Sequence, residues 1–302
     1  MDNLIQQIVN GLTLGCIYGL LALSYTLIFG VLRVINFALG ETLMVGAFAS
    51  ISAVRLLERS PLIHNHPLLL FGVGLAAAML GGVAFALTTE VAAFRPLRRK
   101  RGSPVLLGLI SSLGVSIFVQ NFVLVFVDSG NVSFPQLIPK QNVQWLGATV
   151  STLQIAIILL STTMMVFVSL IVYKTKIGQQ IRAVRDNLDL ARGYGTNPNT
   201  IVTATFALAG LLAGLSGFMI GCQYEVSRYN IGFVPGIKAF SAAILGGIGD
   251  VPGGVIGGII IGLVEALGAG YISAENKDVF VFSILIFILL FRSRGLLNRG
   301  IE

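Results

Sequence analysis

Eight stretches of this chain are apolar for so long that lipid, rather than water, must surround much of the fold. They cover residues 8–31, 37–54, 68–93, 105–127, 150–173, 201–221, 251–270 and 279–291. About 20 apolar residues in a helix cross a hydrocarbon core of about 30 Å. Inside that core each backbone N–H and C=O has to be satisfied within the chain, which a helix does. Charged residues make up only 11% of the 302, against about 25% in soluble domains. Mean hydropathy is +0.88. The sequence therefore predicts an all-α integral membrane protein: one domain over residues 1–302, a polytopic bundle of about eight transmembrane helices plus one or two partial segments. Residues 236–245 are too few to cross alone. They read as a half-helix that breaks at the Gly-rich run 246–254, GGIGDVPGG. Irregular backbone at membrane depth is tolerated only against protein or a water-filled cavity. That break marks an interior packing point or part of a pathway.

One polar interruption stands out, the loop 174–199, KTKIGQQIRAVRDNLDLARGYGTNPN. Ile181, Val184, Leu188 and Ala191 recur at helical spacing and form one apolar stripe. Arg182, Arg185, Asp186, Asp189 and Arg192 cover the other sides. Gly193 and Gly195 stop the helix, and Pro198 bars its continuation. An amphipathic helix at a membrane surface is either a handle for a soluble partner or a connector lying in the lipid interface.

The net charge of +7 reports topology. Arg95, Arg98, Arg99, Lys100 and Arg101 fill one short loop; Lys174, Lys176, Arg182, Arg185 and Arg192 sit in the polar interruption; Arg292, Arg294 and Arg299 lie in the tail. These segments alternate with sparsely charged ones at 128–144 and 271–278. The positive-inside rule makes the basic segments and the C-terminus cytoplasmic and the N-terminus external, with Arg33 inside and Arg55 and Arg59 outside. A nucleic-acid partner is not expected. Asp2 and the absence of Lys or Arg near the start leave no positive n-region, so the first apolar run is expected to remain a membrane helix. Cys16 and Cys222 are far apart and suggest packing rather than a disulfide or a metal site.

The chain lacks the residues for several chemistries. It contains no Gly-Lys pair, so the G-x-x-x-x-G-K-[ST] phosphate loop is missing. His64 and His66 share a loop with Pro61 and Pro67 and read as solvated; no metal or other cofactor is expected. Asn131-Val132-Ser133 matches a glycosylation pattern that arises often by chance. Gly247-Ile248-Gly249-Asp250 spells the G-x-G-D of intramembrane aspartyl proteases. That chemistry needs a second carboxylate, and the other aspartates fall at span ends or in loops. Among 36 glycines such a match is unsurprising. Polar residues inside spans are better guides, because each costs energy in lipid. Asn36, Gly40 and Glu41 open the second span, Glu90 closes the third, Gln120 and Asn121 sit in the fourth, and Glu265 lies within the penultimate one. Asn36, Glu41 and Glu265 either surround a translocation path or hydrogen-bond neighbouring helices. Gly11, Gly15 and Gly19, and later Gly253, Gly257, Gly258 and Gly262, form small-residue stripes for close helix packing. The spans show no evident cluster of charges, which favours a neutral or zwitterionic solute.

These segments, in this order, resemble the membrane permease subunits of bacterial ABC importers for branched-chain amino acids, in particular the smaller of the two paired permeases. The resemblance lies in residues 10–47 (NGLTLGCIYGLLALSYTLIFGVLRVINFALGETLMVGA), 178–199, 206–221 (FALAGLLAGLSGFMIG) and 236–262. The family usually has His before the Gly-Glu of its Asn-Phe-Ala-x-Gly-Glu element, where this chain has Leu39. The resemblance implies a second homologous permease subunit, two cytoplasmic ABC ATPases and a periplasmic or lipid-anchored binding protein, in the bacterial inner membrane. It makes the helix from Gln179 to Arg192 a coupling helix, with Gln179, Ile181, Arg182, Ala183, Val184, Arg185, Leu188, Ala191 and Gly195 engaging the ATPase. Its apolar stripe would sit in an ATPase groove. It also implies alternating access for hydrophobic or neutral amino acids, without an ATPase site in this chain. Urea or short-chain amides are the alternative solutes, and a channel or a protease the remote alternatives.

Overall fold

The computed structural model describes residues 2–59, 66–99, 105–127, 130–138, 141–145 and 148–291. Its helices are α1 (Asp2–Leu32), α2 (Leu39–Glu58), α3 (Pro67–Thr89), α4 (Arg95–Arg99), α5 (Val105–Phe126) and α6 (Thr152–Lys174). Then come α7 (Lys176–Asp186), α8 (Leu188–Gly193), α9 (Pro198–Tyr224), α10 (Phe233–Gly246), α11 (Val251–Tyr271) and α12 (Lys277–Phe291). A π-helical turn, Glu90–Phe94, joins α3 to α4. Strand β1 (Val132–Ser133) pairs antiparallel with β4 (Val226–Ser227), and β2 (Asn142–Trp145) with β3 (Ala148–Ser151).

Seven of the described helices are long and apolar enough to cross a membrane. The eighth apolar run of the sequence forms α12, 15 residues over its described length. The residues His64, Lys100 and Arg101 and the tail with Arg292, Arg294 and Arg299 lie outside the described residues. Helix α1 is apolar on all sides and accordingly occupies the centre of the bundle, with 89% of its most apolar stretch buried. It runs antiparallel to α11 along a glycine seam. Gly11, Gly15 and Gly19 lie against Leu263, Ile259 and Val255, while Gly258 and Gly262 lie against the backbone of Gly19 and Gly15. A Cβ at either of the last two would strike that backbone, so the predicted packing stripes meet each other. With lipid outside, such close van der Waals contact is a main source of helix association.

Side-chain bonds sort the connections to two ends of the bundle. At one end Arg33 Nη2 donates to the Arg185 carbonyl at 3.5 Å, Arg98 Nη1 to Asn199 Oδ1 at 3.3 Å, and Arg185 Nη1 to the Gly249 carbonyl at 2.8 Å. At the other end Arg55 Nη2 donates to the Ser133 carbonyl at 3.2 Å, beside the β1–β4 pair. Arg33, Arg98 and Arg185 thus share one end, and Arg55 lies with the sparsely charged connections as the sequence predicts.

The polar interruption departs from its expected form. The continuous helix from Gln179 to Arg192 is instead two helices, because Asn187 adopts an extended φ of −153° and ψ of 109°. Its side-chain oxygen then accepts from Leu190 N at 3.1 Å and caps α8. Gly195, at φ +80°, ends α8. Thr196 N donates to the Ala191 carbonyl and Gly195 N to that of Arg192, the paired bonds of a Schellman turn. Pro198 starts α9.

Candidate translocation cavities and coupling surface

The Gly-rich break lies between α10 and α11, as the sequence predicts. Gly247 and Gly249 take φ values of 104° and 93°, which L side chains rarely adopt. They turn the chain so that Asp250 accepts from Gly253 N at 3.2 Å and caps α11, with Pro252 in the first turn. The G-x-G-D aspartate is therefore a helix cap. Gly246 and Gly253 touch through backbone alone, and Gly257 lies on the Ala242 carbonyl, which holds α10 tightly against α11.

This placement carries Lys238 of α10 into the bundle. Its Nζ lies 2.7 Å from Glu265 Oε1 of α11 and 2.6 Å from Asp278 Oδ1 of α12. Tyr18 of α1 donates to Glu265 Oε2 at 2.9 Å, and the Lys238 ammonium stands 5.9 Å from the Tyr18 ring centroid. Lys277 is 3.7 Å from Glu265 Oε1. The side chains of Lys238 and Glu265 are only 3% and 2% exposed, that of Asp278 44%. The expectation of spans without a charge cluster is overturned: α10, α11 and α12 contribute charges to one, and α1 adds the Tyr18 hydroxyl. Its members line a cavity of about 410 Å³ that also meets Ile220, Tyr224, Arg228, Ile231 and Val234. Tyr224 and Val226 place that cavity towards the end of the bundle that carries β1 and β4.

A second cavity, about 150 Å³, is lined by Tyr25, Phe37, Gly40, Glu41, Ser116 and Gly236, among others. Glu41 is 1% exposed. One of its oxygens accepts from Ser116 Oγ at 3.0 Å and from Gln120 Nε2 at 2.7 Å, both on α5. The other oxygen has no hydrogen-bond partner among the described residues. A buried carboxylate oxygen left so is costly unless a ligand, a proton or water meets it. Gly40 permits the approach of α10, since a Cβ there would meet the Gly232 carbonyl.

The sequence-predicted residues therefore divide. Gly40 and Glu41 line the smaller cavity, and Glu265 lines the larger one. Asn36 joins neither lining; its Oδ1 accepts from Ala38 N at 3.0 Å and forms the turn into α2. Leu39 is fully buried in the apolar core, so the residue in place of the usual His serves packing here. Lys238, Tyr18 and Asp278 were not singled out from sequence. Lys238 did carry a signal, as the sole ionisable residue of an apolar half-helix. Glu90, buried at the π-helical turn, pairs with Arg98.

On α7 and α8 the apolar stripe faces inward. Ile181, Val184 and Ala191 are buried in the chain's own core, so this stripe is not free to enter a partner's groove. Arg182 donates to the Val172 carbonyl and Arg185 to Gly249, both back towards the bundle. The outward side carries Ile177, Gln179, Ala183, Leu190, Tyr194 and Gly195, with Leu190 61% and Tyr194 88% exposed. The side chain of Leu188 lies outside the described residues.

Residues 7–289 match the family model described as the branched-chain amino acid transport system permease component. The chain is 39% identical over 299 residues to the high-affinity branched-chain amino acid transport system permease protein BraD of Pseudomonas aeruginosa, covering 98% of this chain and 96% of the relative. It is 36% identical over 302 residues to the permease protein LivH of Escherichia coli K12, with the same coverage. A probable branched-chain amino acid transport permease of Methanocaldococcus jannaschii is 27% identical over 279 residues, covering 90% of this chain and 83% of the relative. On this agreement over nearly its whole length, the chain belongs to the family of branched-chain amino acid transport permeases.

Proposed function

We propose that this chain is the smaller permease subunit of an ABC importer, carrying branched-chain and other neutral amino acids across a bacterial inner membrane. The observation that carries the reading is the near-complete alignment with BraD and LivH, whose names give branched-chain amino acid transport. The chain acts as one membrane domain beside a second homologous permease. Two cytoplasmic ATPases supply the hydrolysis for which this sequence has no phosphate loop, and an external binding protein delivers the solute. The end with Arg33, Arg98 and Arg185 faces the cytoplasm by the positive-inside rule, and the end with β1 and β4 faces outward.

The coupling surface is α7–α8. Ile181, Val184 and Ala191 seat it on the bundle, Arg182 and Arg185 tie it to α6 and to the break before α11, and Gln179, Ala183, Leu190 and Tyr194 meet the ATPase. A push on this surface reaches the α10–α11 break through the bond from Arg185 to Gly249. Glu41 and Gly40 line the pathway, and the larger cavity with Glu265 is its outward part. The test is uptake of radiolabelled leucine by cells that lack their own branched-chain importers and express this chain with its partner subunits. Leucine uptake abolished by omission of this chain supports the reading. Uptake of urea or short amides in place of leucine overturns its substrate class.

A further inference from the structure

We propose that the larger cavity is a binding site for the zwitterionic head and branched side chain of one amino acid. Lys238 and Lys277 receive the α-carboxylate, and Asp278 receives the α-ammonium. The inference rests on the import reading above and assigns recognition residues that it leaves open.

Lys238 is the starting point. An ammonium held at 3% exposure in an apolar helix is costly, and a well-packed apolar residue often serves stability as well or better. Here one ammonium lies between two carboxylates at 2.7 and 2.6 Å, while a second ammonium, Lys277, stands at 3.7 Å from Glu265. Such a set admits an exchange. The α-ammonium of a solute replaces Lys238 at Asp278, and its α-carboxylate pairs with the released charge of Lys238 and with the nearby Lys277. Each charge keeps a partner, so the desolvation penalty that opposes burial of an unpaired charge is offset. A neutral amide offers no such exchange, and a lone anion or a lone cation engages only one half of it.

The remaining walls fit the rest of the solute. Ile220, Ile231 and Val234 are apolar members of the lining, and about 410 Å³ falls in the size range of small-molecule sites. Glu265, held by the Tyr18 hydroxyl, acts as the positioning residue that fixes Lys238 when Asp278 lets go.

The experiment is equilibrium binding of radiolabelled leucine to the purified full assembly without its binding protein. Isoamylamine and isocaproate, which lack the carboxylate and the ammonium respectively, serve as competitors. Unlabelled leucine should displace the label, and each competitor should need at least about tenfold more. Asp278→Asn leaves the Lys238–Glu265 pair intact and should weaken leucine binding by about tenfold or more. Lys238→Met should do the same, with co-purification of the ATPases as the control for assembly. Unchanged leucine affinity in Asp278→Asn, or equal displacement by isocaproate, overturns the inference. So does an assembly that imports leucine yet binds none without its binding protein. An assembly that imports urea but no leucine removes the import reading itself.

Discussion

Glu41 shows most simply how one residue separates pathway from scaffold. One oxygen is engaged by Ser116 and Gln120, and the other has no hydrogen-bond partner among the described residues, in a side chain that lines the smaller cavity. Glu41→Gln keeps an acceptor for the first pair and deletes the charge. Leucine uptake should fall about tenfold or more while assembly with the ATPases persists, a loss of at least about 1.4 kcal/mol in the transport step. Uptake unchanged by Gln, but lost in Glu41→Ala together with assembly, would make the residue structural. Asp250 is a contrasting case, since its carboxylate caps α11. Asp250→Ala should cost about 1 kcal/mol of stability, read as a lower unfolding temperature in detergent. Glu41 and Glu265 were legible in the sequence because a carboxylate in an apolar run is rare. The partners of Glu265 were not. Lys238, Tyr18 and Asp278 come from three other helices and meet only once α10 is folded against α11.

At the scale of elements, α7–α8 carries the clearest lesson. The 3.6-residue stripe of Ile181, Val184 and Ala191 was readable, but periodicity says only that one face is buried and not by what. The stripe packs on the chain itself, and the exposed side is the one with Leu190 and Tyr194, which under the proposed function meets the ATPase. Leu190→Asp should therefore reduce ATPase co-purification while the permease itself stays folded and monodisperse. Val184→Asp should act differently, because it places a charge in the chain's own core and unseats α7. Its expected signature is new protease cleavage near α7 in the isolated permease. Equal behaviour of the two variants would contradict the assignment of faces. The break at Asn187 was hidden because Asn is tolerated inside a helix and favoured in turns, and only tertiary seating chooses between them. The break after α10 was visible, because glycines, Asp and Pro followed one another as cap and first turn require.

The whole molecule is organised around α1, with α11 and α9 closest to it and connections gathered at two ends. Long apolar runs made the helices legible one by one. Their neighbours followed only from which glycine faces coincide, as Gly15 and Gly262 do. The orientation can be tested with the exposed positions Gln179 and Ser133, after removal of Cys16 and Cys222. In intact cells Ser133→Cys should react with a membrane-impermeant thiol reagent and Gln179→Cys should not; the reverse pattern would invert the coupling surface. The central claim, an amino-acid pathway driven by separate ATPases, is tested most directly in proteoliposomes containing this chain, the second permease and two ATPases. Addition of leucine-loaded binding protein should stimulate ATP hydrolysis and concentrate leucine across the membrane, and this chain alone should hydrolyse no ATP. Hydrolysis by the chain alone, or leucine that merely equilibrates across the membrane without ATP, would contradict the account.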